Sequence, residues 1–368
     1  MFSTAPEINK GKVENYVNKV HELPDISSKE ITKEFGQVNF TVWSDVYSCP
    51  ECILDYNYYE SAISEETGKV DKEYLCPNCN ALITKSKSGK VFESYYDHRL
   101  GEEAKRVKQE LVEISYSFGG QRFTKKPDAF DLALLSFIES LDDVKVPTNR
   151  MMEGQETRRN DPVGITHVHH FYTARNLRVL GVAYEHSNSN SLQLALTGIN
   201  LSISKMYRWT PNYEGGGPMS GTLYVPALLR DISGLDALKR FLYKLPKVHT
   251  QLQSRAHEYC FINTGSSSCL KNFPSQMVDY IFLDPPFGAN INYSELSYLW
   301  ESWLGVWTAI EKEAIENKKQ NKDINDYRVL MTSCFKEAYR LLKPGRWMTV
   351  EFSNTKASIW NSIQVALS

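Results

Sequence analysis

Val278-Asp279-Tyr280-Ile281-Phe282-Leu283 runs straight into Asp284-Pro285-Pro286-Phe287-Gly288. The first six residues are mostly apolar, as a short strand buried in an α/β sheet requires. The prolines then stop the strand and fix the backbone. A carboxylate and an aromatic ring are thereby presented from a stiff turn at the strand's C-terminal edge. In an open α/β sheet, ligands bind outside that edge. An acid and a ring held there can accept a hydrogen bond from a planar amine while the aromatic face stacks on the ring that carries it. A pocket for an extruded nucleobase has these parts. The bland alternative is a strand ended by a proline turn.

Outward from this stretch the pattern stays α/β. A helix is expected from about Ser294, with Leu299, Trp300, Trp303 and Leu304 placed to cover a sheet. The polar run 316–323 reads as a solvated, mobile insertion. A helix from Tyr327 to Leu342 should stop at Lys343-Pro344-Gly345 and lead into the strand 347–352. A last helix is expected around Trp360, Ile363 and Leu367. Upstream, 222–225 reads as a strand, and helices are expected over 192–206, over 235–245 and after the capping residue Thr173. Phe130, Leu134, Phe137, Ile138 and Leu141 also recur at helical spacing, and 38–43 alternates as a strand does. Weak helical spacing marks 13–20, and the charged stretch 153–161 reads as a linker or exposed loop. The expected organisation is a polar lead over 1–37, a metal-binding insert over 38–90, a helical linker or accessory region over 91–160 and an α/β domain over 161–368.

Cys49-Pro50-Glu51-Cys52 and Cys76-Pro77-Asn78-Cys79 carry a second chemistry. A CxxC pair turns back tightly enough for both thiolates to reach one ion, and two pairs complete a tetrahedron. Cys49, Cys52, Cys76 and Cys79 are therefore expected to hold structural zinc, with a redox or disulfide role as the alternative. Four thiolates would fill the coordination shell, so the ion would not be catalytic. The ribbon's own contacts, to nucleic acid or to the rest of the fold, stay open.

The chain has 368 residues, 42% hydrophobic and 23% charged, with a formal net charge of −2. These are ordinary values for a globular protein with a sizeable core. A whole-molecule polyanion partner is not advertised, so a nucleic-acid footprint would be local. The basic residues between 81 and 126 are its candidate, interspersed with acids that fit a solvated face equally well. The apolar runs are too short to span a bilayer, and the first residues lack the pattern of a secretory signal. With CxxC pairs and three scattered cysteines, a reducing, cytoplasmic location is expected and a membrane partner is not. His167, His169 and His170 form the remaining cluster. It reads as a metal site lacking a nearby acid, as a loop against an active face, or as a structural group.

The strand-end turn allows a definite chemistry. An exocyclic amine of adenine or cytosine is a poor nucleophile, because its lone pair is delocalised into the ring. Asp284 and the Pro285 carbonyl can each accept a hydrogen bond from that amine, favouring the tetrahedral nitrogen that attacks a methyl sulfonium. Phe287 would stack on the base.

The run Phe273-Pro274-Ser275-Gln276-Met277-Val278-Asp279, the Asp-Pro-Pro-Phe turn and Leu342-Lys343-Pro344-Gly345-Arg346 resemble the amino-methyltransferases that modify DNA. The CxxC pairs, His169-His170-Phe171-Tyr172-Thr173 and Asn292-Tyr293-Ser294-Glu295-Leu296 make the chain similar to the zinc-ribbon-containing members of that group. The resemblance runs from about Val38 to the end and is tightest over 273–304 and 341–361. It implies a Rossmann-like, S-adenosylmethionine-dependent methyltransferase sheet, mostly parallel, with an inserted zinc ribbon. It implies Asp284, Pro285, Pro286 and Phe287 as the catalytic motif, S-adenosylmethionine as donor, Asn354 at the cofactor pocket's rim, and DNA as substrate. Membership of a restriction-modification system, with a restriction subunit or a complementary methyltransferase fragment as partner, goes with it.

Members of that group cradle the cofactor in a glycine-rich loop of the FxGxG kind, because the backbone must approach it closely. Gly119-Gly120 and Gly215-Gly216-Gly217 do not match that pattern. The chain is accordingly expected to be truncated. A non-catalytic DNA-binding or scaffold subunit, and a methyltransferase acting on RNA or a protein amide, are the rival readings.

Overall fold

A computed structural model describes residues 2–4, 35–64, 66–211, 216–253, 260–289 and 291–368. The helical spacing read at 13–20 lies outside them. The chain divides into two compact units, one of residues 1–150 with 160–251, the other of 151–159 with 252–368.

The first unit is organised by one long strand, Phe35–Ser48, which contains the expected 38–43. It pairs antiparallel with Gln109–Phe118 along one edge and with Leu228–Ile232 along the other. Phe2–Thr4, Asp55–Asn57 and Gly89–Lys90 extend the sheet from the same strand, and Gln121–Lys125 adds to Gln109–Phe118. Register shifts between Val38 and Phe40 and between Val42 and Trp43 break the strict two-residue alternation. Phe40, Val42, Val46 and Tyr47 are nevertheless all buried. Such bulges bend a strand and sharpen its twist. Helix Ala129–Ser140 starts at Asp128, whose carboxylate and that of Asp131 form a reciprocal cap. Its Phe130 stacks on Phe35 at 5.5 Å.

Leu228–Ile232 explains why 160–251 belongs to this unit and not to a separate domain beginning at 161. The strand expected at 222–225 is irregular chain instead. Pro226 follows it and has no N–H to give a ladder, so pairing begins only at Leu228. The helix after it, Gly234–Gln253, passes through Pro246 and does not stop at Leu245. The helix expected over 192–206 ends at Asn200 and tightens into a 3₁₀ turn over Leu201–Ile203.

The second unit contains the parallel pairing. Val278–Leu283 runs parallel to Leu342–Val350, with Tyr280 opposite Trp347 and Leu283 opposite Val350. The register jumps from Val278–Leu342 to Tyr280–Trp347. Residues 343–346 loop out there, with Gly345 at φ 74°. Among the described residues this is the one parallel pair, and the largest sheet is the antiparallel one in the first unit. In place of the mostly parallel sheet expected over 161–368, the described residues of that range hold one pair of parallel strands, and Leu228–Ile232 joins the antiparallel sheet.

Helix Ile324–Leu341 carries the chain between these strands, and Ala357–Leu367 follows them. Tyr327, Met331, Phe335, Ile359 and Ile363 form the core beneath, with Leu283, Met348, Val350 and Phe352 packed onto it. On the strands' other side Tyr280, Phe282 and Trp347 are exposed. The run 316–323 is not solvated throughout. Asn317 is buried, and its side-chain oxygen accepts from the N–H groups of Lys319 and Gln320.

The 153–161 stretch also departs from a loop. Gln155–Arg158 forms a helical turn whose N–H groups point at Glu295, a residue with no exposed surface. Gln155 donates to Oε1 at 3.2 Å, while Glu156 and Thr157 donate to Oε2 at 2.8 and 3.1 Å. A Cβ at Gly154 would lie 1.8 Å from the Glu295 carboxyl carbon, so only glycine fits. Removing the acceptor in Glu295→Ala should lower the second unit's unfolding free energy by about 2–3 kcal/mol, read in urea titrations. Burial raises the Glu295 carboxyl above the ordinary glutamate range, against the pull of those three N–H groups. The folded form then holds a proton that the unfolded form has released, so stability falls as pH rises from the ordinary value through the raised one. Glu295→Gln should flatten that part of the stability profile.

Candidate functional sites: a four-cysteine centre, a buried acid–histidine cluster and a strand-end turn

Cys49 closes the long strand, and each cysteine pair is built by the same backbone device. In the first, Cys49 N–H donates to the Leu54 carbonyl at 3.0 Å and Ile53 N–H to the Cys49 carbonyl at 3.0 Å. In the second, Cys76 N–H donates to Ala81 and Asn80 N–H to Cys76, both at 2.9 Å. The turns close through left-handed residues, Ile53 at φ 64° and Asn80 at φ 58°. Asparagine tolerates that region well, whereas a β-branched residue is strained in it.

The sulfur atoms converge. Cys49 Sγ lies 3.9 Å from Cys79 Sγ and Cys52 Sγ lies 3.8 Å from Cys76 Sγ, with all of them within 4.8 Å of one another. A tetrahedral ion with metal–sulfur bonds of about 2.3 Å places its ligands about 3.8 Å apart. The quartet therefore has the spacing to coordinate a metal ion. The thiols act on one another. Against its burial, the N–H groups of Asn78 and Cys79 pull the Cys76 thiol down to about 7. Against the N–H groups of Leu54 and Ala81, burial and the neighbouring sulfurs push the thiols of Cys52 and Cys79 up. Beneath the knuckles sits an aromatic cluster of Tyr47, Tyr56, Tyr58 and Tyr74, with Tyr56 and Tyr74 hydroxyls 3.0 Å apart.

The basic residues between 81 and 126 are largely matched. Arg106 pairs with Glu93, Lys90 with Asp45, Arg99 with Asp142, Lys108 with Glu110 and Lys126 with Glu60. Lys85 and Lys105 lie over the rings of Tyr58 and Phe92. Among the described residues this segment is thus mostly a charge-balanced face.

His167, His169 and His170 lie in and beside a 3₁₀ turn, Val168–Phe171, not on a strand. The acid that sequence could not supply arrives from the tip of the hairpin formed by Phe92–Asp97 and Glu102–Val107. Asp97 Oδ2 lies 2.9 Å from His169 Nε2 and 2.8 Å from His170 Nε2. Its other oxygen accepts from the Arg99 and Leu100 N–H groups at 3.0 and 3.3 Å. Burial pulls His169 down and His170 to about 3, while the histidine hydrogen bonds hold the Asp97 carboxyl well below the carboxylate range despite its burial. The cluster lines a cavity of about 410 Å³, together with Tyr95, Arg106 and Lys205. Desolvation, reinforced by Arg106, lowers the Lys205 ammonium to about 8.

In the second unit, Asp284 stands exposed at the C-terminal end of Val278–Leu283. No hydrogen-bond or ion-pair partner meets its carboxylate among the described residues. The backbone after it is held firmly. Tyr327 Oη donates to the Pro286 carbonyl at 2.7 Å, and Asn354 Nδ2 to the Phe287 carbonyl at 2.7 Å. Pro285 is buried, and Gly288 has φ 72° with Ile359 Cδ1 only 2.8 Å from where a Cβ would stand. Phe287 is half-buried edge-on against Phe352 at 5.2 Å, and Phe352 against Trp360 at 5.1 Å. Burial raises the Tyr293 phenol, and the charges of Asp284 and Glu313 add to it.

Asn354, which the resemblance puts at the rim of a cofactor pocket, uses both ends of its amide on backbone groups. Its oxygen accepts from the Lys356 N–H at 2.7 Å while its nitrogen clamps the turn. Sequence reasoning missed Tyr327 as the second clamp. Nor do the described residues supply a glycine-rich cradle. Gly119 and Gly120 turn an antiparallel hairpin between Gln109–Phe118 and Gln121–Lys125, both at positive φ. They do not link a parallel strand to a helix, so among the described residues they form no glycine-rich cradle of the kind the resemblance implies.

Two outcomes are expected at the cysteine centre. Chelation, or Cys76→Ser, should release the metal and lower stability by several kcal/mol, with the near-ultraviolet circular dichroism of the tyrosine cluster collapsing in step. Ile53→Gly should relieve about 1 kcal/mol of backbone strain and raise the thermal midpoint of the metal-loaded protein.

No family model, curated protein or solved structure matches this chain.

Proposed function

We propose that the second unit presents the base-gripping corner of a DNA amino-methyltransferase, and that the four-cysteine centre of the first unit is a structural zinc ribbon. The observation that carries the first reading is the unpartnered Asp284 carboxylate at the end of a parallel strand, on a backbone pinned by Tyr327 and Asn354. An acceptor of this kind suits a planar exocyclic amine. Accepting a hydrogen bond from that amine raises the electron density on its nitrogen, and because the turn is already rigid, little reorganisation is needed. Phe287, steadied by Phe352, offers the adjacent aromatic surface. Adenine and cytosine both have a suitable amine beside a ring nitrogen.

S-adenosylmethionine supplies an activated methyl group on sulfur in reactions of this class, and no residue described here is assigned to hold it. For the zinc ribbon, the sulfur spacing and the paired knuckles support a closed shell that stiffens the sheet end and takes no part in chemistry.

Labelled-methyl transfer from S-adenosylmethionine to duplex DNA by the full chain, with RNA and peptide amides as competitors, tests the reading. Transfer to DNA should fall at least about a hundredfold in Asp284→Ala, and less in Asp284→Asn, which keeps an acceptor oxygen. Transfer unchanged in Asp284→Ala rejects the role given to that carboxylate. DNA binding without transfer, equal in the native chain and Asp284→Ala, favours a non-catalytic DNA-binding subunit.

A further inference from the structure

Asp97, His169 and His170 bring three metal-capable side chains to one point, and each is more than nine-tenths buried. Two imidazole nitrogens approach the same carboxylate oxygen, at 2.9 and 2.8 Å. Ligands about 2.1 Å from one ion at right angles to each other stand about 3.0 Å apart, close to the separations found. We propose that Asp97, His169 and His170 form a second metal centre, a two-histidine, one-carboxylate site for a divalent transition-metal ion, with open coordination positions on the side of the 410 Å³ cavity.

The surroundings support a built site. Asp97 Oδ1 is tied by the Arg99 and Leu100 N–H groups, which aims Oδ2 at the histidines. Such outer contacts orient a ligand. His170 Nδ1 lies 3.3 Å from Thr166 Oγ1, the acceptor it needs when Nε2 is given to a metal. Without an ion, the Thr166 N–H at 3.2 Å donates to Nδ1, and Nε2 keeps its proton toward Asp97. Metal entry then shifts each imidazole proton from Nε2 to Nδ1, where Thr166 Oγ1 accepts that of His170. The ligand set also decides the ion's class. Imidazole with one carboxylate suits zinc, iron(II) or cobalt(II), whereas calcium and magnesium prefer all-oxygen shells. Three protein ligands leave room for an exogenous one, unlike the closed cysteine quartet.

The test is metal stoichiometry on the full chain. After equilibrium dialysis against buffered zinc, elemental analysis should find two zinc ions per native chain. Asp97→Asn and His169→Gln should each retain one, and Cys76→Ser should keep the other. Cobalt(II) gives the two centres separate signatures. The cysteine quartet produces intense sulfur-to-metal charge transfer, and the triad only weak ligand-field bands that vanish in His169→Gln. Charge transfer persisting in that variant shows that the unit still folds. One zinc per native chain, with no cobalt signal beyond the thiolate bands, overturns the proposal and leaves a hydrogen-bonded cluster.

Discussion

The first unit depends on one buried carboxylate. Asp231 is 2% exposed and sits on the strand inserted beside Phe35–Ser48. Asn176 donates to it at 2.6 Å, Thr173 at 3.1 Å and Thr41 at 3.3 Å, and the Arg175 guanidinium closes the set. Burial raises this carboxyl while Arg175 opposes. Removing either Asp231 or Arg175 leaves the other as an uncompensated buried charge, a loss of about 3–5 kcal/mol. Thr41 belongs to the long strand, Asp231 to its neighbour and the others to the start of helix Ala174–Glu185. One group thus locks three elements that are far apart in sequence.

That lock also positions the chemistry. The 3₁₀ turn with His169 and His170 ends three residues before Ala174, so fixing Thr173 and Arg175 fixes the histidines opposite Asp97. Lys205 N–H donates to the Phe171 carbonyl at 2.7 Å, tying the same turn from its other side. The cavity wall is held by backbone and buried polar contacts, which are more rigid than a surface loop.

How much of this was legible in the sequence follows from the range of each interaction. The cysteine knuckles were readable because their geometry is written within four residues, although the left-handed Ile53 was not, since a β-branched residue argues against that conformation. Thr173 announced its helix by the same local logic. Asp97 could not be found as the histidines' partner, being separated from them by over seventy positions. Glu295 was read as part of a motif, yet its carboxylate serves a turn 138–140 positions away. Leu228–Ile232 was missed because pairing with a distant strand, and not its own alternation, makes it β. The single parallel pair reflects the same limit. A strand's apolar run suggests cover on both faces, yet Tyr280 and Phe282 are exposed, and the run does not say how many neighbours the strand has.

The turn after Val278–Leu283 shows where sequence and structure meet most closely. Several acids of this unit are occupied: Asp279 with Lys343, Glu337 with Arg340, Glu301 with the Thr308 hydroxyl, and Glu295 with its three N–H donors. Asp284, like Glu311, Glu316 and Glu351, has no hydrogen-bond or ion-pair partner for its carboxylate among the described residues, and what distinguishes it is the backbone pinned behind it. A carboxylate in water gains nothing from being held still, yet here the carbonyls two and three residues on are each fastened by a separate side chain. Proline already restricts this backbone, so further fastening adds little to the fold's stability. It adds positional certainty to a group that the fold itself does not use. Rigidity without an internal partner is what an acceptor needs if its partner is to come from outside.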